Sequence, residues 1–556
     1  MGPLDAFTRA AEGANNEVSS PTNPDPPIVE SPPTALAPLR HPAFRMLWIT
    51  WLTSNTCMWM NDVAAAWLMT SLTTSPVMVA LVQTASTLPV FLLGLPSGAL
   101  ADILDRRRYF MATQWWVAFN AIVLCVAIFA DALSPPLLLA LTFGNGIGLA
   151  MRWPVYSAIV PGLVPRRELS AALAMNGIAM NASRIIGPII AGALLASLGS
   201  PYVFLLNAAL SLASGLVIWR WRSEQKTSTL PGERFVGAMR VGVQYVAQSA
   251  AMRAILLRIF LFFLQSSALL ALLPLVARRF DEGGAAGFTL MLAMMGVGAI
   301  AAAIWLPRLR VRITRDRLIR DASLVQAAAM VAVGFAPNIY FALPAMLLAG
   351  AAWISVANTL AVASQLVLPD WVRARGMSIY QMALMGGAAA GAALWGQVAG
   401  WVDVPISLAA AAAFGLLSLL LSHRLQIGGD DDIDMTPARI LSEPTPAFSI
   451  AHEQGPVLVT IEYRIDPARV PEFRAVMNES RRNRLQKGAL SWGLFHDTSD
   501  PGRYLEYFLD ESWADHLRRF DRFTAADQEL RARRQAFHLG DEPPRVTRYV
   551  AESMRR

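Results

Sequence analysis

The sequence has 556 residues, of which 54% are hydrophobic and only 16% are charged, and its net charge is +7. Soluble domains carry about 25% charged residues, so this composition excludes an ordinary soluble protein and indicates a bilayer as the solvent. Most arginines stand between apolar runs, which favours membrane topology over a nucleic-acid partner. No disulfide framework, zinc spacing or Gly-rich phosphate loop occurs, so we expect no metal, no cofactor and no ATP-driven pump.

The N-terminal segment 1–43 lacks an apolar stretch and is rich in proline, which predicts a disordered cytoplasmic tail and no signal peptide. Twelve apolar runs follow, and each is long enough for a bilayer-spanning helix. The predicted fold is therefore an all-α membrane protein with two six-helix halves, 44–221 and 254–425. The predicted spans are 44–70, 77–100, 109–130, 136–160, 169–198, 201–221, 254–277, 286–307, 319–336, 339–367, 376–401 and 405–424.

Basic residues concentrate in alternate connections between these runs, such as Arg106–Arg108 and Arg308–Arg317. The intervening connections are nearly free of lysine and arginine, with Arg278–Arg279 as the exception. The positive-inside rule then places both termini on the cytoplasmic side of a bacterial inner membrane. The long connection 222–253 contains an amphipathic stretch, Phe235–Val246, which is typical of a helix on the cytoplasmic membrane surface.

The composition becomes polar after the twelfth run, where 426–455 is predicted to be a linker. Segment 456–556 then alternates strand and helix patterns, beginning with an alternating strand at 457–465. Ser512 with Asp515, and Thr524 with Asp527, are typical of helix starts. The predicted order β-α-β-β-α-β indicates a soluble α+β domain with a ferredoxin-like sheet.

A signature segment, GALADILDRR, occupies Gly98–Arg107 after the second run. It resembles the Gly-x-x-x-Asp-Arg-x-Gly-Arg-Arg signature of the major facilitator superfamily, and it departs from that signature at the first Arg and the second Gly. The resemblance implies a conformational latch in which Gly98 permits a close helix contact and Asp102 faces a helix N-terminus. Arg106 and Arg107 would pair with that carboxylate or with lipid phosphate. A merely topogenic basic loop is the alternative.

The fifth run carries a second motif, Arg184 followed by Gly187, Pro188 and Gly192. The proline can kink the helix, and the glycines permit tight packing beside the kink. The motif resembles the Gly-Pro signature of exporters in this superfamily. Together with the preceding stretch Leu163–Asn176 it resembles the subgroup that contains the enterobactin exporter, which implies export. An ordinary kinked membrane helix is the alternative.

Charges inside a bilayer are costly and usually functional. Asp62 is the carboxylate that lies well within a predicted span, and Arg152 and Arg184 are cations in the same half. We hypothesise that Asp62 carries a coupling proton and pairs with one of these arginines; a structural polar contact is the alternative. Uncharged polar residues are candidates for the substrate path, with helix packing as the alternative. They are Asn61, Gln83, Gln114, Asn181, Gln265, Asn358 and Gln381.

The soluble segment resembles the antibiotic-biosynthesis monooxygenase-like fold, a dimeric α+β barrel, through Trp492, His496, Tyr507, Trp513 and His516. The resemblance implies a homodimer and either a binding role or cofactor-free oxidation of aromatic substrates. The residues do not form a convincing catalytic set.

These observations predict a secondary active exporter of small amphipathic molecules, drug-like or siderophore-like, driven by protons and not an enzyme. The alternatives are an uptake carrier, or a transporter fused to an enzymatic or ligand-sensing domain.

Overall fold

The computed structural model describes residues 36–221, 235–280, 284–310, 312–422 and 446–552. Each of the twelve predicted spans corresponds to one long helix, and a shorter helix, α7, lies between the sixth and seventh of them. The helices are α1 (Pro42–Leu72), α2 (Pro76–Ile103), α3 (Arg106–Phe129), α4 (Pro135–Ile159), α5 (Leu169–Ser197), α6 (Ser200–Arg220), α7 (Phe235–Gln248), α8 (Ala250–Arg278), α9 (Gly284–Arg310), α10 (Arg315–Gly334), α11 (Ile339–Val367), α12 (Asp370–Trp401) and α13 (Val404–Ser422).

Local sequence explains where several helices begin. Pro42, Pro76 and Pro135 are the first residues of α1, α2 and α4, a position where the missing N–H is not needed by the helix. Asp105 caps α3, because its Oδ1 accepts a hydrogen bond of 2.8 Å from the backbone of Arg108. The helix starts are therefore set by short-range chemistry.

The described helices form a membrane-embedded bundle. Nine of those within the described ranges are long and apolar enough to cross a membrane, and α1, α4 and α10 fall below that threshold. These three carry more polar residues; α10 begins with a charged turn, Arg315–Asp321. Large apolar side chains stand exposed on the outside of the bundle, for example Ile304 and Leu420, as expected for surfaces that contact lipid chains.

The bundle consists of two halves with the same internal contacts. In the first half α1 packs on α5, α2 on α4 and α3 on α6; in the second half α8 packs on α12, α9 on α11 and α10 on α13. Each helix of the first half thus has a counterpart in the second. The halves meet where α2 packs on α12 and α5 packs on α9, which are equivalent pairs under this repeat. The predicted pair of six-helix halves is confirmed.

The soluble domain contains β1 (Val457–Arg464), α14 (Val470–Gln486), β2 (Ser491–His496), β3 (Arg503–Asp510), α15 (Trp513–Asp521), α16 (Ala525–Gln535) and β4 (Arg545–Val550). The sheet is antiparallel with the order β2-β3-β1-β4, which is the ferredoxin-like order. Two short helices, each beginning at a predicted capping residue, replace the second single helix of the predicted pattern.

Two predictions about the connections differ from the structure. Residues 36–43, predicted to belong to the disordered tail, begin α1 and an adjoining helical turn, and His41 Nε2 lies 2.9 Å from Glu168 Oε2. The predicted amphipathic helix exists as α7, but it is covered by protein: Val241 contacts Gly488 of the soluble domain, and Tyr245 donates to Val367 O. Residues 1–35 and most of the predicted linker lie outside the described residues.

The soluble domain docks at one end of the bundle, which we call the arginine-rich end: the end formed by the α2–α3, α4–α5, α9–α10 and α11–α12 connections. Arg240 of α7 forms an ion pair with Glu511. The guanidinium carbon of Arg522 lies 4.9 Å from the ring centroid of Trp371, near the start of α12. The domain is therefore joined to the bundle by side-chain contacts as well as by the chain.

Candidate functional site

A small cavity of about 30 Å³ lies where the two halves meet. This volume is of the order of one water molecule, so the halves are close together here. The first half contributes residues from α1 and α5, and the second contributes residues from α8, α9 and α11. The residues that line the cavity are Trp59, Arg184, Pro188, Leu270, Leu292, Met295, Gly296, Ala299 and Trp353.

Arg184 is the charged residue of this site. Its guanidinium carbon lies 4.1 Å from the ring centroid of Trp353 and 5.3 Å from that of Trp59. Cation–π contacts of this kind contribute about 2 kcal/mol when they are shielded from water. Nε and Nη1 of Arg184 are buried and have no hydrogen-bond partner among the described residues. The site therefore offers unused, directional donors for an anionic group, held between an aromatic ring from each half.

The glycines of the second motif allow this approach. A Cβ atom on Gly187 would lie 2.5 Å from Cβ of Trp59, so α5 packs directly on α1 at that point. A Cβ atom on Gly192 would lie 2.0 Å from Oγ1 of Thr289, on α9 of the other half. Gly192 thus permits close contact between the halves.

We expect Gly192→Ala to reduce transport by at least fivefold, because its methyl group would force Thr289 aside wherever α5 and α9 come together. Gly177→Ala on the same helix is the matched control, since a Cβ atom there has no heavy atom of the described residues within 4 Å. Initial rates of substrate movement in membrane vesicles, normalised to the amount of protein, compare the two variants. Equal rates for both would contradict a role for the Gly192 contact.

Asp62 is half-buried on α1, and it accepts a hydrogen bond of 2.9 Å from Oγ of Ser86 on α2. The predicted ion pair with Arg152 or Arg184 is not formed by the described residues. Arg152 instead donates to Ser54 O at 3.1 Å, and the Arg184 guanidinium is occupied by tryptophan rings. Asp62 is therefore an ionisable group with a hydroxyl neighbour and with no guanidinium partner among the described residues.

The polar residues predicted to line a substrate path divide into two groups. Asn61, Gln114 and Gln265 are buried inside single halves, where each contacts another helix: Asn207 of α6, Ser54 of α1 and Gly415 of α13, respectively. These contacts are the helix-packing role that the sequence left open. The other four are half-buried and remain candidates for the path: Gln83, Asn181, Asn358 and Gln381.

The latch motif connects helix ends at the arginine-rich end. Arg106 Nη1 donates to Ala158 O at 2.9 Å, and Arg107 donates to the carbonyl oxygens of Ile218 and Trp219. These carbonyls are at the C-terminal ends of α4 and α6, where a positive charge is favourable. The close helix contact predicted at Gly98 is not formed among the described residues, and the side chain of Asp102 lies outside them, so the latch role of both residues stays a prediction.

The five residues behind the monooxygenase resemblance do not meet in one site. Trp513 is buried in the domain core, whereas Tyr507 lies on the opposite face of the sheet from Glu506 and Phe508. His496 is exposed and stacks on Tyr504, with 4.5 Å between ring centroids. Trp492 donates to Glu506 Oε1 at 3.0 Å. Of the five, only His516 lines a larger cavity in the domain, described below.

The sequence analysis did not predict that Trp59 and Trp353 contact Arg184. Each tryptophan lies within an apolar run, and these two are almost 300 residues apart, so their contact depends on how the halves dock. The signal that the sequence offered for this site was a tryptophan inside a predicted span of each half.

Two six-helix repeats with a cavity to which both contribute define a transporter of the major facilitator kind. Comparison with known proteins identifies the family more closely. The chain belongs to the Transmembrane secretion effector family, whose model matches residues 33–556.

Individual relatives share limited identity. The chain is 24% identical over 251 residues to the Staphyloferrin A transporter of Staphylococcus aureus, covering 45% of this chain and 63% of that protein, less than two thirds of its length. It is 26% identical over 383 residues to the Enterobactin exporter EntS of Escherichia coli O1:K1 / APEC, covering 68% and 90%. A crystal structure of a variant of the nucleoside transporter NupG matches with a TM-score of 0.57 at 11% identity, covering 69% of this chain and 99% of that chain, and shows the fold alone.

Proposed function

We propose that this protein is a proton-driven exporter of small amphipathic molecules, and that its substrates carry an anionic group. The observation that carries the proposal is the buried guanidinium of Arg184, which has two nitrogen atoms without hydrogen-bond partners among the described residues. An anionic group on an aromatic or aliphatic body matches this donor set between two tryptophan rings. Binding there touches both halves at once, as alternating access requires.

The names of the relatives support a siderophore-like substrate and outward transport, since one is an enterobactin exporter and another a staphyloferrin A transporter. The distribution of arginine between the two ends of the bundle supports an orientation with both termini in the cytoplasm of a bacterial cell, in its inner membrane. The arginine-rich end and the soluble domain would then face the cytoplasm.

Asp62 is our candidate for the coupling proton. It is half-buried within α1, and its neighbour Ser86 can donate to the carboxylate or accept from the protonated acid. Because no guanidinium group of the described residues pairs with it, the carboxyl can change its protonation state during a cycle.

We expect Asp62→Asn to abolish substrate-dependent proton movement, because an amide cannot carry the proton. Everted membrane vesicles, acidified inside by respiration, would be tested with a pH-sensitive dye during addition of catecholate and carboxylate siderophores. The wild-type protein should release protons from the vesicles on substrate addition, at least tenfold faster than the variant. Retained proton release in Asp62→Asn would contradict the assignment, and substrate movement in the opposite direction would establish uptake.

The soluble domain also supports a proposed homodimer. One face of the sheet is not covered by α14–α16. Phe495 and Tyr549 are exposed on this face, and Leu505 and Tyr507 lie on the same face. Light scattering of the purified protein distinguishes a dimer from a monomer.

A further inference from the structure

A second cavity, of about 270 Å³, lies inside the soluble domain between the sheet and helices α14–α16. This is slightly below the range of about 300–1,000 Å³ that is typical of small-molecule sites. Val459 and Ile461 of β1 and Phe508 of β3 form its floor, and Phe520 and Phe523 contribute to its wall. The cavity therefore has an apolar lining large enough for a small organic molecule.

The same cavity is strongly basic. Six cationic side chains line it, and none of the described residues that line it is acidic. Three carboxylates lie behind this lining: Glu506, Asp510 and Asp527. Six cations against three carboxylates leave three positive charges uncompensated among these groups. The cations are Arg484, Lys487, Arg519, Arg531, Arg534 and Arg548.

Two of the arginines contact the same aromatic ring, that of Phe508. The guanidinium carbons of Arg484 and Arg519 lie 4.3 Å and 4.7 Å from the ring centroid of Phe508. Arg484 also donates to Glu506 at 3.2 Å, and Arg519 forms an ion pair with Asp510. These charges are therefore fixed in position and need little rearrangement to receive a ligand.

Two other cations of the lining are buried beside carboxylates, Arg534 beside Glu506 and Lys487 beside Asp527. Arg534 is 7% exposed, and its Nε has no hydrogen-bond partner among the described residues. Burial lowers the pKa of Arg534, and it lowers the pKa of Lys487 to about 8 although Asp527 opposes this change. The surroundings thus disfavour the positive charge that the sequence places here, and a bound anion would stabilise it.

His516 fixes one more arginine at the cavity. Arg548 Nε lies 3.1 Å from His516 Nε2, and because an arginine can only donate, this nitrogen is the acceptor. The proton of the imidazole is then on Nδ1, which donates to Asp510 at 2.9 Å. The histidine thereby orients Arg548 at the cavity that both residues line.

We propose that this cavity binds a small organic anion, a carboxylate attached to an aromatic or aliphatic body. The cavity has an apolar floor, and it has two guanidinium groups, those of Arg531 and Arg548, with no carboxylate partner among the described residues. The buried Nε of Arg534 is a further donor without a described partner. Together these features match that class of ligand. The site is separate from Arg184 in the membrane and does not depend on the proposed direction or coupling of transport.

The test uses full-length protein in phosphatidylcholine nanodiscs, titrated with 1-naphthoate by isothermal calorimetry, with empty nanodiscs as the blank. We expect saturable binding in the wild type, and Arg184→Gln should retain the component that belongs to the soluble domain. Arg531→Gln/Arg548→Gln, which alters two cations that have no carboxylate partner among the described residues, should weaken binding at least tenfold. Arg533→Gln removes a charge from the same helix at an exposed position paired with Glu479, and should change affinity less than twofold.

Three outcomes with 1-naphthoate would overturn the proposal. The first is the absence of saturable heat above that of empty nanodiscs. The second is loss of binding in Arg184→Gln, which would assign the naphthoate site to the membrane part. The third is wild-type affinity in the double variant. The neutral analogue 1-naphthalenemethanol should bind at least tenfold more weakly than 1-naphthoate, and equal binding would remove the need for the cations.

Discussion

Arg184→Met should raise the half-saturating concentration of an anionic substrate by roughly 10- to 100-fold, because a hydrogen bond to a charged group contributes about 1.5–3 kcal/mol. The methionine retains apolar contact with Trp59 and Trp353 but removes the donors of the guanidinium. Arg184→Lys keeps the charge and loses the planar stacking, so its half-saturating concentration should lie between those of the wild type and Arg184→Met. Concentration-dependent uptake of labelled substrate into everted vesicles measures all three proteins.

Arg278→Met is the matched control for this prediction. Arg278 also lies beside a tryptophan, 5.4 Å from the ring centroid of Trp67, but it is exposed at the other end of the bundle. Its replacement should change the half-saturating concentration less than threefold. If Arg184→Met behaved like this control, the substrate anion would have to bind elsewhere.

Glu506→Gln should destabilise the soluble domain by about 3–5 kcal/mol, because it leaves two buried guanidinium groups without their counter-charge. Glu506 is fully buried and accepts from Arg484, Arg534, Trp492 and Tyr463. Hydrogen exchange of residues 457–550 in the full-length protein would show faster exchange in the variant.

Acid should reproduce part of this effect in the wild type. Burial alone would raise the pKa of Glu506, but Arg484 and Arg534 outweigh it and lower that pKa from 4.5 to about 2. A carboxylate with a depressed folded-state pKa contributes stability above its unfolded pKa and loses it as the pH falls. We expect roughly 3 kcal/mol to be lost between about pH 4.5 and 2.

Glu462→Gln is the control for both measurements. Glu462 lies on β1 in the same sheet, but its side chain is 38% exposed and pairs with Arg503. Exposed pairs contribute about 0–1 kcal/mol to stability. The amide hydrogen exchange and the acid sensitivity of this variant should therefore match those of the wild type. Similar behaviour of Glu506→Gln and Glu462→Gln would show that the buried network does not hold the domain together.

Most of the fold could be predicted from the sequence, because bilayer length and strand alternation act over short distances. The span predicted at 339–367 is α11, and the alternation from Val457 to Tyr463 places one face of β1 in the domain core. The capping residues Ser512 and Thr524 located two further helix starts.

The contacts of the sites could not be predicted in the same way. Asp62 and Arg184 are in the same half, yet their side chains have different neighbours because the rotation of each helix is set by packing. Similarly, five of the six cations of the soluble cavity come from three helices and one strand, and the sixth, Lys487, directly follows α14. Only the order of strands and the docking of helices bring them together.

The docked domain is attached to the second half of the bundle, so we expect the two halves to differ in the mass that moves with each of them. Arg522 contacts Trp371 of α12, Arg240 of α7 pairs with Glu511, and the chain enters the domain after α13. These attachments all involve α7 or the second half, so residues 446–552 should travel with that half while the first half moves alone. A dye on the exposed part of the domain and another at the start of α3 would then report each transport cycle as a distance change, with no label inside the membrane.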